Sequence, residues 1–365
     1  MTHTSTRRRL LGAFGLASTA ALAGCVDGFG GDIGGATGGP DTTGPPSREG
    51  PLYQPWDHET VREAVVDGGP GKDGIPSVDD PKFAPGGESE LDDDEVVFGY
   101  AGAEDVKAYT QRVLVHHEVA NDTLDGTPVA VTYCPLTGTA MGFERGETTF
   151  GVSGRLVNNN LVMYDRATDS RWPQMLATAV DGPLAGDQLR EFRLVWTTWG
   201  RWREAHPDTA VLTEDTGYAK RYGSDPYGNY NPTSGYYRGG GPLFASLDGG
   251  WAETLDQPKR VVIGARTAEG AVAFDKPALR EARLLDSPGD GDGDGGVLAA
   301  YDPAVDSAWV YRRGDGGVTL GDEATGFVVD GETYRAGDLP LERVHAFDAM
   351  WHAWGGFYPE TAYVA

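Results

Sequence analysis

Cysteine is scarce in this 365-residue sequence, which contains only Cys25 and Cys134. Cys25 lies in a segment that we expect to be processed and lipidated, so Cys134 has no disulfide partner in the mature chain. A disulfide framework is therefore excluded. Unpaired thiols are uncommon outside the cell because oxidants convert them, and the role of Cys134 becomes the central question of the sequence.

Lysine is also scarce, with six residues in a chain that has 55 acidic side chains and a formal net charge of −25. The acidic residues are spread through every segment. Such a chain repels itself at low salt, so we expect it to work in molar salt; an acidic surface for a cationic partner is the alternative. Nucleic acid is excluded as a partner because phosphate binding needs a basic footprint.

The apolar run over residues 10–24 is shorter than the roughly 20 residues that a bilayer-spanning helix needs. It follows a twin-arginine pattern at residues 6–11, which predicts a signal peptide over residues 1–24. The ending Leu22-Ala23-Gly24-Cys25 resembles the lipobox of secreted lipoproteins. It predicts a lipid on the Cys25 sulfur; a plain signal peptide that leaves Cys25 as a thiol is the alternative.

Residues 25–50 consist mainly of Gly, Pro, Thr and Asp, with almost nothing apolar to bury. This composition predicts a disordered tether. With the lipid on Cys25, the tether would hold the folded part off the membrane. We therefore expect export by the twin-arginine route and a lipid anchor on the outer face of the cell membrane.

The rest of the chain contains two similar segments. Residues 96–121 match residues 261–286 without a gap, and after a short insertion the matches continue in the same order. We interpret them as a tandem duplication. The matches include Val96-Val97-Phe98-Gly99 with Val261-Val262-Ile263-Gly264, Tyr133-Cys134-Pro135 with Tyr301-Asp302-Pro303, and Trp199 and Trp202 with Trp351 and Trp354.

This duplication divides the folded part into an N-terminal extension over residues 51–95, repeat 1 over 96–214, a tyrosine-rich loop over 215–260 and repeat 2 over 261–365. Strand-like runs bounded by Gly, Pro, Asn and Asp dominate, and helical signals are few and short. The sequence therefore predicts an α+β fold that is predominantly β, with two β-rich repeats packed with approximate twofold symmetry.

Cys134 follows a strand-like run rich in Val, Thr and Tyr, and Pro135 ends that strand because proline has no N–H for the ladder. The thiol therefore lies at a strand end beside a turn. Three interpretations stay open. Cys134 is a buried small hydrophobe, a ligand of a transition metal such as Zn or Cu, or a nucleophilic or redox thiol.

His116 and His117 precede the Cys134 strand by one hairpin, so we expect them to be its neighbours. If they lie on a strand, they face opposite ways and only one can reach the thiol. Repeat 2 has neither the histidines nor the cysteine, and this joint absence favours a shared site. The predicted metal ligands are Cys134, His117 and His116, and the predicted catalytic residues are Cys134 as nucleophile and His117 as base, aided by Asp165 or Gln174.

Six tyrosines lie in the loop between the repeats. They could line a cleft between the repeats and stack on a sugar or another flat ligand. A loop that packs on itself is the alternative. The tyrosines are Tyr218, Tyr222, Tyr227, Tyr230, Tyr236 and Tyr237.

The run Tyr133-Cys134-Pro135-Leu136 and further motifs resemble the DUF3179 family over residues 90–365, a family named only as uncharacterised. Many members of this family have a second cysteine where this sequence has Thr137. The resemblance implies no established activity. The supporting motifs are His117-Glu118, Asn121-Asp122, Ser153-Gly154, Tyr164-Asp165-Arg166, Ser170, Trp172, Gln174, Gly182, Gly186, His206-Pro207-Asp208-Thr209 and Asp225-Pro226-Tyr227.

The leading functional hypothesis is a binding module at the cell surface that holds a soft metal or a small ligand near Cys134 and His117. A thiol enzyme with the same two residues is the second hypothesis, and a purely structural surface protein is the third. A cleft that contains Cys134 and a histidine within about 4 Å would favour a site. A thiol sealed among apolar side chains would favour the structural protein.

Overall fold

The computed structural model describes residues 43–231, 240–287, 289, 296–314, 316–322 and 326–365, which all belong to one folded unit. The predicted signal peptide, Cys25, most of the predicted tether, Tyr236 and Tyr237 lie outside the described residues. Within the described ranges, no helix has the length and apolar character needed to cross a membrane.

The N-terminal extension adds strands to the edges of the repeat 1 sheets. Its helix begins after Asp57, whose side chain accepts a hydrogen bond from the backbone N–H of Thr60 at 2.9 Å. Its elements are helix α1 (His58–Glu63), strands β1 (Val66–Asp67) and β2 (Phe83–Pro85), and a 3-10 turn (Gly86–Glu88).

Repeat 1 consists of eleven strands and two helices: β3 (Val96–Ala101), β4 (Val106–Thr110), α2 (Gln111–His117), β5 (Val119–Leu124), β6 (Thr127–Cys134), β7 (Thr139–Glu144), β8 (Phe150–Val157), β9 (Asn160–Asp165), β10 (Arg171–Pro173), β11 (Glu191–Phe192), β12 (Val195–Thr198), α3 (Trp199–Ala205) and β13 (Ala210–Leu212).

The rest of the chain adds one helix from the loop and the elements of repeat 2: α4 (Trp251–Thr254), β14 (Val261–Arg266), β15 (Ala271–Asp275), α5 (Lys276–Ala282), β16 (Leu284–Ser287), β17 (Val297–Asp302), β18 (Ser307–Arg312), β19 (Val318–Leu320), β20 (Gly326–Val329), β21 (Glu332–Arg335), β22 (Arg343–Val344), β23 (Ala346–Met350), α6 (Trp351–Phe357) and β24 (Ala362–Val364).

Three sheets are built on each repeat, and the strand orders correspond in the first two of them. In repeat 1 the orders are β12-β3-β4-β13-β2, β11-β7-β6-β5 and β1-β8-β9-β10. In repeat 2 they are β23-β14-β15-β24, β22-β18-β17-β16 and β19-β20-β21. The predicted α+β class, predominantly β, is confirmed. The approximate twofold relation between the repeats stays a prediction.

Each repeat pins a helical tryptophan on a glycine of its first strand. A Cβ atom added to Gly99 would overlap the ring of Trp202, and one added to Gly264 would overlap the ring of Trp354. Both tryptophan side chains are fully buried. Only glycine leaves room for such a close approach of helix to strand, which explains why Gly and Trp recur together in the two segments.

His116 and His117 lie on a helix and not on a strand. His116 and His117 are the last two residues of helix α2, which ends at Glu118 in the left-handed conformation, with φ of 59°. The two side chains therefore follow the helical period instead of alternating across a sheet. The short apolar run before them, Val113-Leu114-Val115, fits a strand and a buried helix equally well by pattern alone.

One large hydrophobic cluster spans both repeats and joins strands β6 to β9 to the second Trp helix, α6. Two arginines, one half-buried and one buried, cross the same boundary. Arg193 of repeat 1 donates to the backbone carbonyl of Ala346 at 2.6 Å and to the Ser307 hydroxyl at 2.7 Å. In the opposite direction, Arg266 of repeat 2 forms an ion pair with Glu191. The two repeats therefore share a core and exchange charged side chains.

Candidate functional site

Cys134 is a core residue at the end of β6, with 1% of its surface exposed. Its thiol donates to the backbone carbonyl of Asn159 at 3.6 Å, and its sulfur accepts from the backbone N–H of Leu161 at 3.3 Å. Burial, followed by the nearby Glu118 carboxyl, raises the pKa of the thiol to about 11. A reactive cysteine needs a lowered pKa, so this position suits a small buried side chain.

His117 is occupied by two other partners. Its Nδ1 lies 2.7 Å from the carbonyl of Pro76, and its Nε2 lies 2.7 Å from the hydroxyl of Tyr222. Because a carbonyl can only accept, Nδ1 carries the proton and Nε2 accepts from the tyrosine. Burial lowers the pKa of His117. The ring therefore makes no hydrogen bond to Cys134, and the predicted nucleophile and base pair is not formed.

The other predicted site residues have structural partners. Asp165 is fully buried, and its carboxylate accepts from the Thr168 backbone at 2.7 Å and from the Trp172 indole at 3.0 Å. Gln174 is also fully buried and donates to the Thr132 hydroxyl at 2.8 Å. The Asp165 side chain therefore stabilises a turn of repeat 1, and the Gln174 side chain links two of its segments.

His116, the third predicted metal ligand, packs edge-on against Tyr222, with 5.3 Å between the ring centroids. Nowhere in the described part of the chain do three histidine, cysteine or acidic side chains converge as ligands of one metal ion would. The described residues therefore give no set of side chains that matches the predicted metal site.

Glu118 is the neighbour of Cys134 that sequence reasoning missed. Its carboxyl is 6% exposed and accepts from the hydroxyl of Tyr227 at 2.9 Å. Burial raises its pKa to about 7, although the hydrogen bond from Tyr227 acts in the opposite direction. The equivalent left-handed position of repeat 2 is Arg283. This change of charge between the repeats is the sequence feature that could have identified Glu118.

The tyrosines of the loop turn toward repeat 1. Tyr222 binds His117, Tyr227 binds Glu118, and Tyr230 donates to the backbone carbonyl of Leu136 at 3.0 Å. Tyr218 is 44% exposed. These three side chains bind repeat 1, which differs both from a loop that stacks on a ligand and from a loop that packs on itself.

A cleft of about 760 Å³ lies between the repeats. Repeat 1 contributes β12 and the starts of β3 and α3, and repeat 2 contributes β14, α5 and β23. Its volume is within the range of ordinary small-molecule sites, roughly 300–1,000 Å³. The cleft does not contain Cys134.

The base of the cleft holds a buried ion pair. The ammonium of Lys276 lies 2.6 Å from Oδ1 of Asp348, and the two side chains are 4% and 3% exposed. The second oxygen, Oδ2, has no hydrogen-bond partner among the described residues. At the same registers repeat 1 has Gln111, the first residue of its helix, and Trp196, which pairs with β3 as Asp348 pairs with β14.

Two further buried oxygens on the cleft wall lack partners in the described ranges. They are Oγ1 of Thr197 and Oδ1 of Asn231, whose residues are 2% and 0% exposed. The amide nitrogen of Asn231 is used, since it donates to the Tyr133 hydroxyl at 2.6 Å and to the Pro135 carbonyl at 3.0 Å. A buried polar atom without a partner is rare and costs free energy, so a donor that reached one of these atoms from the cleft would add a hydrogen bond without displacing another.

Two of the arginines that line the cleft are paired with carboxylates. Arg260 forms a two-point pair with Asp275, and Arg280 forms one with Asp306. Lys259 lies over the ring of Tyr230 at 3.4 Å. The charged residues that line the cleft are Arg201, Lys259, Arg260, Lys276 and Arg280, with Asp94, Asp256, Asp306 and Asp348.

Sequence reasoning considered a cleft between the repeats lined by loop tyrosines, but it missed Lys276 and Asp348, which come from distant segments 72 positions apart. Two signals were available. Lys259 and Lys276 are two of only six lysines in the chain. Lys276 also replaces an uncharged residue of the other repeat at a buried position.

One family model matches residues 72–361 of the chain, and its description is protein of unknown function (DUF3179). The match covers both repeats and part of the N-terminal extension. No curated protein and no solved structure matches the sequence.

Proposed function

The chain belongs to the DUF3179 family, and we propose that this member is a binding protein for a small polar molecule, with the cleft between the repeats as its site. The observation that carries the proposal is the set of three buried oxygens on the cleft wall without partners among the described residues. A ligand that donates hydrogen bonds to Thr197, Asn231 and Asp348 would remove the cost of leaving them unpaired.

The proposal keeps the binding function expected from the sequence and moves its position. Cys134 is sealed in the core, its thiol has a raised pKa, and both ring nitrogens of His117 are engaged elsewhere. These observations favour a structural role for Cys134 over a metal ligand or a nucleophile. The cleft instead offers open volume, buried polar atoms and a charged pair in one place.

The test is a thermal-shift screen in molar KCl with four probe classes: neutral sugars, dicarboxylates, phosphates and polyamines. Val261 lines the cleft and is half-buried, so Val261→Trp would place an indole ring in it and obstruct a ligand. Val106 is a half-buried valine outside the cleft, and Val106→Trp is the matched control. We expect one class to raise the Tm of the wild type and of Val106→Trp but not of Val261→Trp. No shift with any class, or an equal shift in Val261→Trp, would overturn the proposal.

We further propose that the protein acts at the outer face of the membrane, anchored by a lipid on Cys25. The twin-arginine pattern and the Leu22-Ala23-Gly24-Cys25 ending support this location. Mass spectrometry of the mature N-terminal peptide should find a lipid on Cys25, and Cys25→Ser should move the protein from the membrane fraction to the medium. A wild-type protein that is free in the medium would contradict the anchor.

A further inference from the structure

We infer that the cleft takes a neutral molecule rich in hydroxyl groups, a carbohydrate in chemical class, with one pair of its hydroxyls bridging Lys276 and Asp348. The inference rests on the proposed function and specifies its ligand. It starts from the mixture of hydrogen-bond donors and acceptors at the base of the cleft.

The Lys276 and Asp348 pair presents both kinds of group side by side. An ammonium has three donors, of which one is used by Oδ1 of Asp348 at 2.6 Å. Oδ2 of the same carboxylate is an acceptor without a partner in the described chain. A hydroxyl both donates and accepts, so two adjacent hydroxyls of one molecule can accept from the lysine and donate to the aspartate.

The other two unpaired atoms extend the same pattern along the wall. Oδ1 of Asn231 can only accept, and its amide nitrogen is already bound to Tyr133 and Pro135. Oγ1 of Thr197 can donate or accept. With Oδ2 of Asp348, these atoms are mainly hydrogen-bond acceptors, so a ligand for the cleft needs hydrogen-bond donors. Hydroxyl groups supply donors without a net charge.

The charge balance disfavours the charged alternatives. Among the described residues, and counting Asp275 as the partner of Arg260, the cleft has five cationic and five anionic side chains. Arg260 and Arg280 are already bound at two points by carboxylates. An anion would approach the unpaired oxygen of Asp348, and an amine would approach Lys259 and Lys276, so either one pays a repulsion that a neutral ligand avoids.

Apolar surface completes the site. Trp196 is half-buried and lines the cleft, where it packs edge-on against Phe98 at 5.1 Å between ring centroids. Pro258 and Pro277 lie on the lining as well. Ligand sites typically combine such apolar walls with a few placed polar groups, and a sugar ring has C–H faces that pack on them.

The experiment is isothermal titration in molar KCl with glucose, galactose, N-acetylglucosamine and their disaccharides, alongside citrate, inorganic phosphate and spermidine. We expect at least one sugar to bind the wild type. Lys276→Met and Asp348→Asn should weaken it about tenfold or more, because each removes a charge-assisted hydrogen bond. Lys107→Met is the control, since Lys107 forms a comparable pair with Asp122 at 2.9 Å outside the cleft.

Thr197→Val tests the cleft even if Lys276→Met or Asp348→Asn fails to fold. It removes an oxygen that has no partner in the described chain, so the stability of the free protein should not fall, whereas sugar affinity should drop about threefold to tenfold. Unchanged affinity in all three cleft variants would overturn the inference. Binding of citrate, phosphate or spermidine in place of sugars would overturn the ligand class and leave the binding site intact, whereas no binding by any probe would overturn both proposals.

Discussion

The two repeats share the strand orders of two sheets and differ in the chemistry of equivalent positions. Where repeat 1 has Trp196 packed on Phe98, repeat 2 has Asp348 beside Ile263, bound to Lys276. The backbone registers are the same, so the sheets do not depend on these side chains. The comparison teaches that one framework supports a half-buried aromatic contact in one repeat and a buried ion pair in the other, both on the wall of the cleft.

A second pair of equivalent positions has an acidic residue at the end of the helix in repeat 1 and a basic residue there in repeat 2. Repeat 1 buries Glu118 at the left-handed end of its helix, next to Cys134, whereas repeat 2 has Arg283 and Asp302 there. Repeat 1 therefore holds its unusual ionisable groups inside a sealed core. Repeat 2 presents its buried pair to open volume, and this difference is why we assign the ligand site to the cleft.

The shared framework predicts the largest effects. Trp202→Ala and Trp354→Ala each remove a fully buried ring that packs on an equivalent glycine. Each should lower the free energy of unfolding by about 3–5 kcal/mol, measured by chemical denaturation in molar KCl. The two losses should be of similar size, since each ring packs on an equivalent glycine and donates to an equivalent threonine hydroxyl. A near-neutral result for one ring would break the equivalence of the repeats.

The buried pair predicts the next effect. Lys276→Met leaves the Asp348 carboxylate without its partner and should cost about 3 kcal/mol in the free energy of unfolding, the lower end for a broken buried pair because one side faces the cleft. The double variant with Asp348→Leu should recover most of the loss, since an apolar pair replaces an ionic one. If the double variant is as unstable as Lys276→Met, repeat 2 needs the ion pair for its stability, although repeat 1 has uncharged residues at the same positions.

Glu118 predicts a pH dependence that belongs to repeat 1. Its folded pKa, about 7, is above the ordinary value of 4.5, so its contribution to stability is full below pH 4.5 and is lost as the pH rises through 7. Glu118→Gln should therefore match the wild type near pH 4.5 and exceed its free energy of unfolding by roughly 2–3 kcal/mol above pH 7. Urea denaturation at a series of pH values measures the difference.

Arg283→Gln is the matched control for Glu118→Gln, since it changes the equivalent position of repeat 2. It should show no such dependence between pH 4.5 and 7. If Glu118→Gln runs parallel to the wild type over this range, the carboxyl is solvated and the contrast between the repeats at this position is lost.

Cys134 predicts the smallest effect on stability. Cys134→Ala should cost about 1 kcal/mol, the usual value for a point substitution, and should leave ligand binding unchanged. In a Cys25→Ser background, iodoacetamide at pH 8 should react with the wild-type thiol only after unfolding, because burial raises its pKa to about 11. Rapid alkylation of the folded protein would restore the thiol hypotheses.

Much of the fold could be predicted from the sequence because the relevant signals are local. Val96-Val97-Phe98-Gly99 and its copy carry the strand pattern, and the Trp pairs carry the helical spacing that the structure has in α3 and α6. The helix α2 was missed, since Val113-Leu114-Val115 is a short apolar run that suits either a strand or a buried helix.

The candidate site could be predicted only in part. Pairing of Lys276 with Asp348 depends on which strands become neighbours, and the sequence indicates this only through the register of the repeats. Cys134 attracted attention because it is a rare residue, yet rarity does not distinguish a reactive thiol from a buried one. The burial that decides between them comes from β8 and β9, which close over the strand end.

The exchanged arginines have a consequence for truncated chains. Arg193 of repeat 1 donates to carbonyl and hydroxyl groups of repeat 2, and Arg266 of repeat 2 pairs with Glu191 of repeat 1. A chain cut between the two segments would leave Arg193 without these two acceptors and Arg266 without its carboxylate, although Arg266 would keep the hydroxyl of Tyr358. Neither half carries the full set of partners for its own arginine, so we expect neither to fold alone with the stability of the whole.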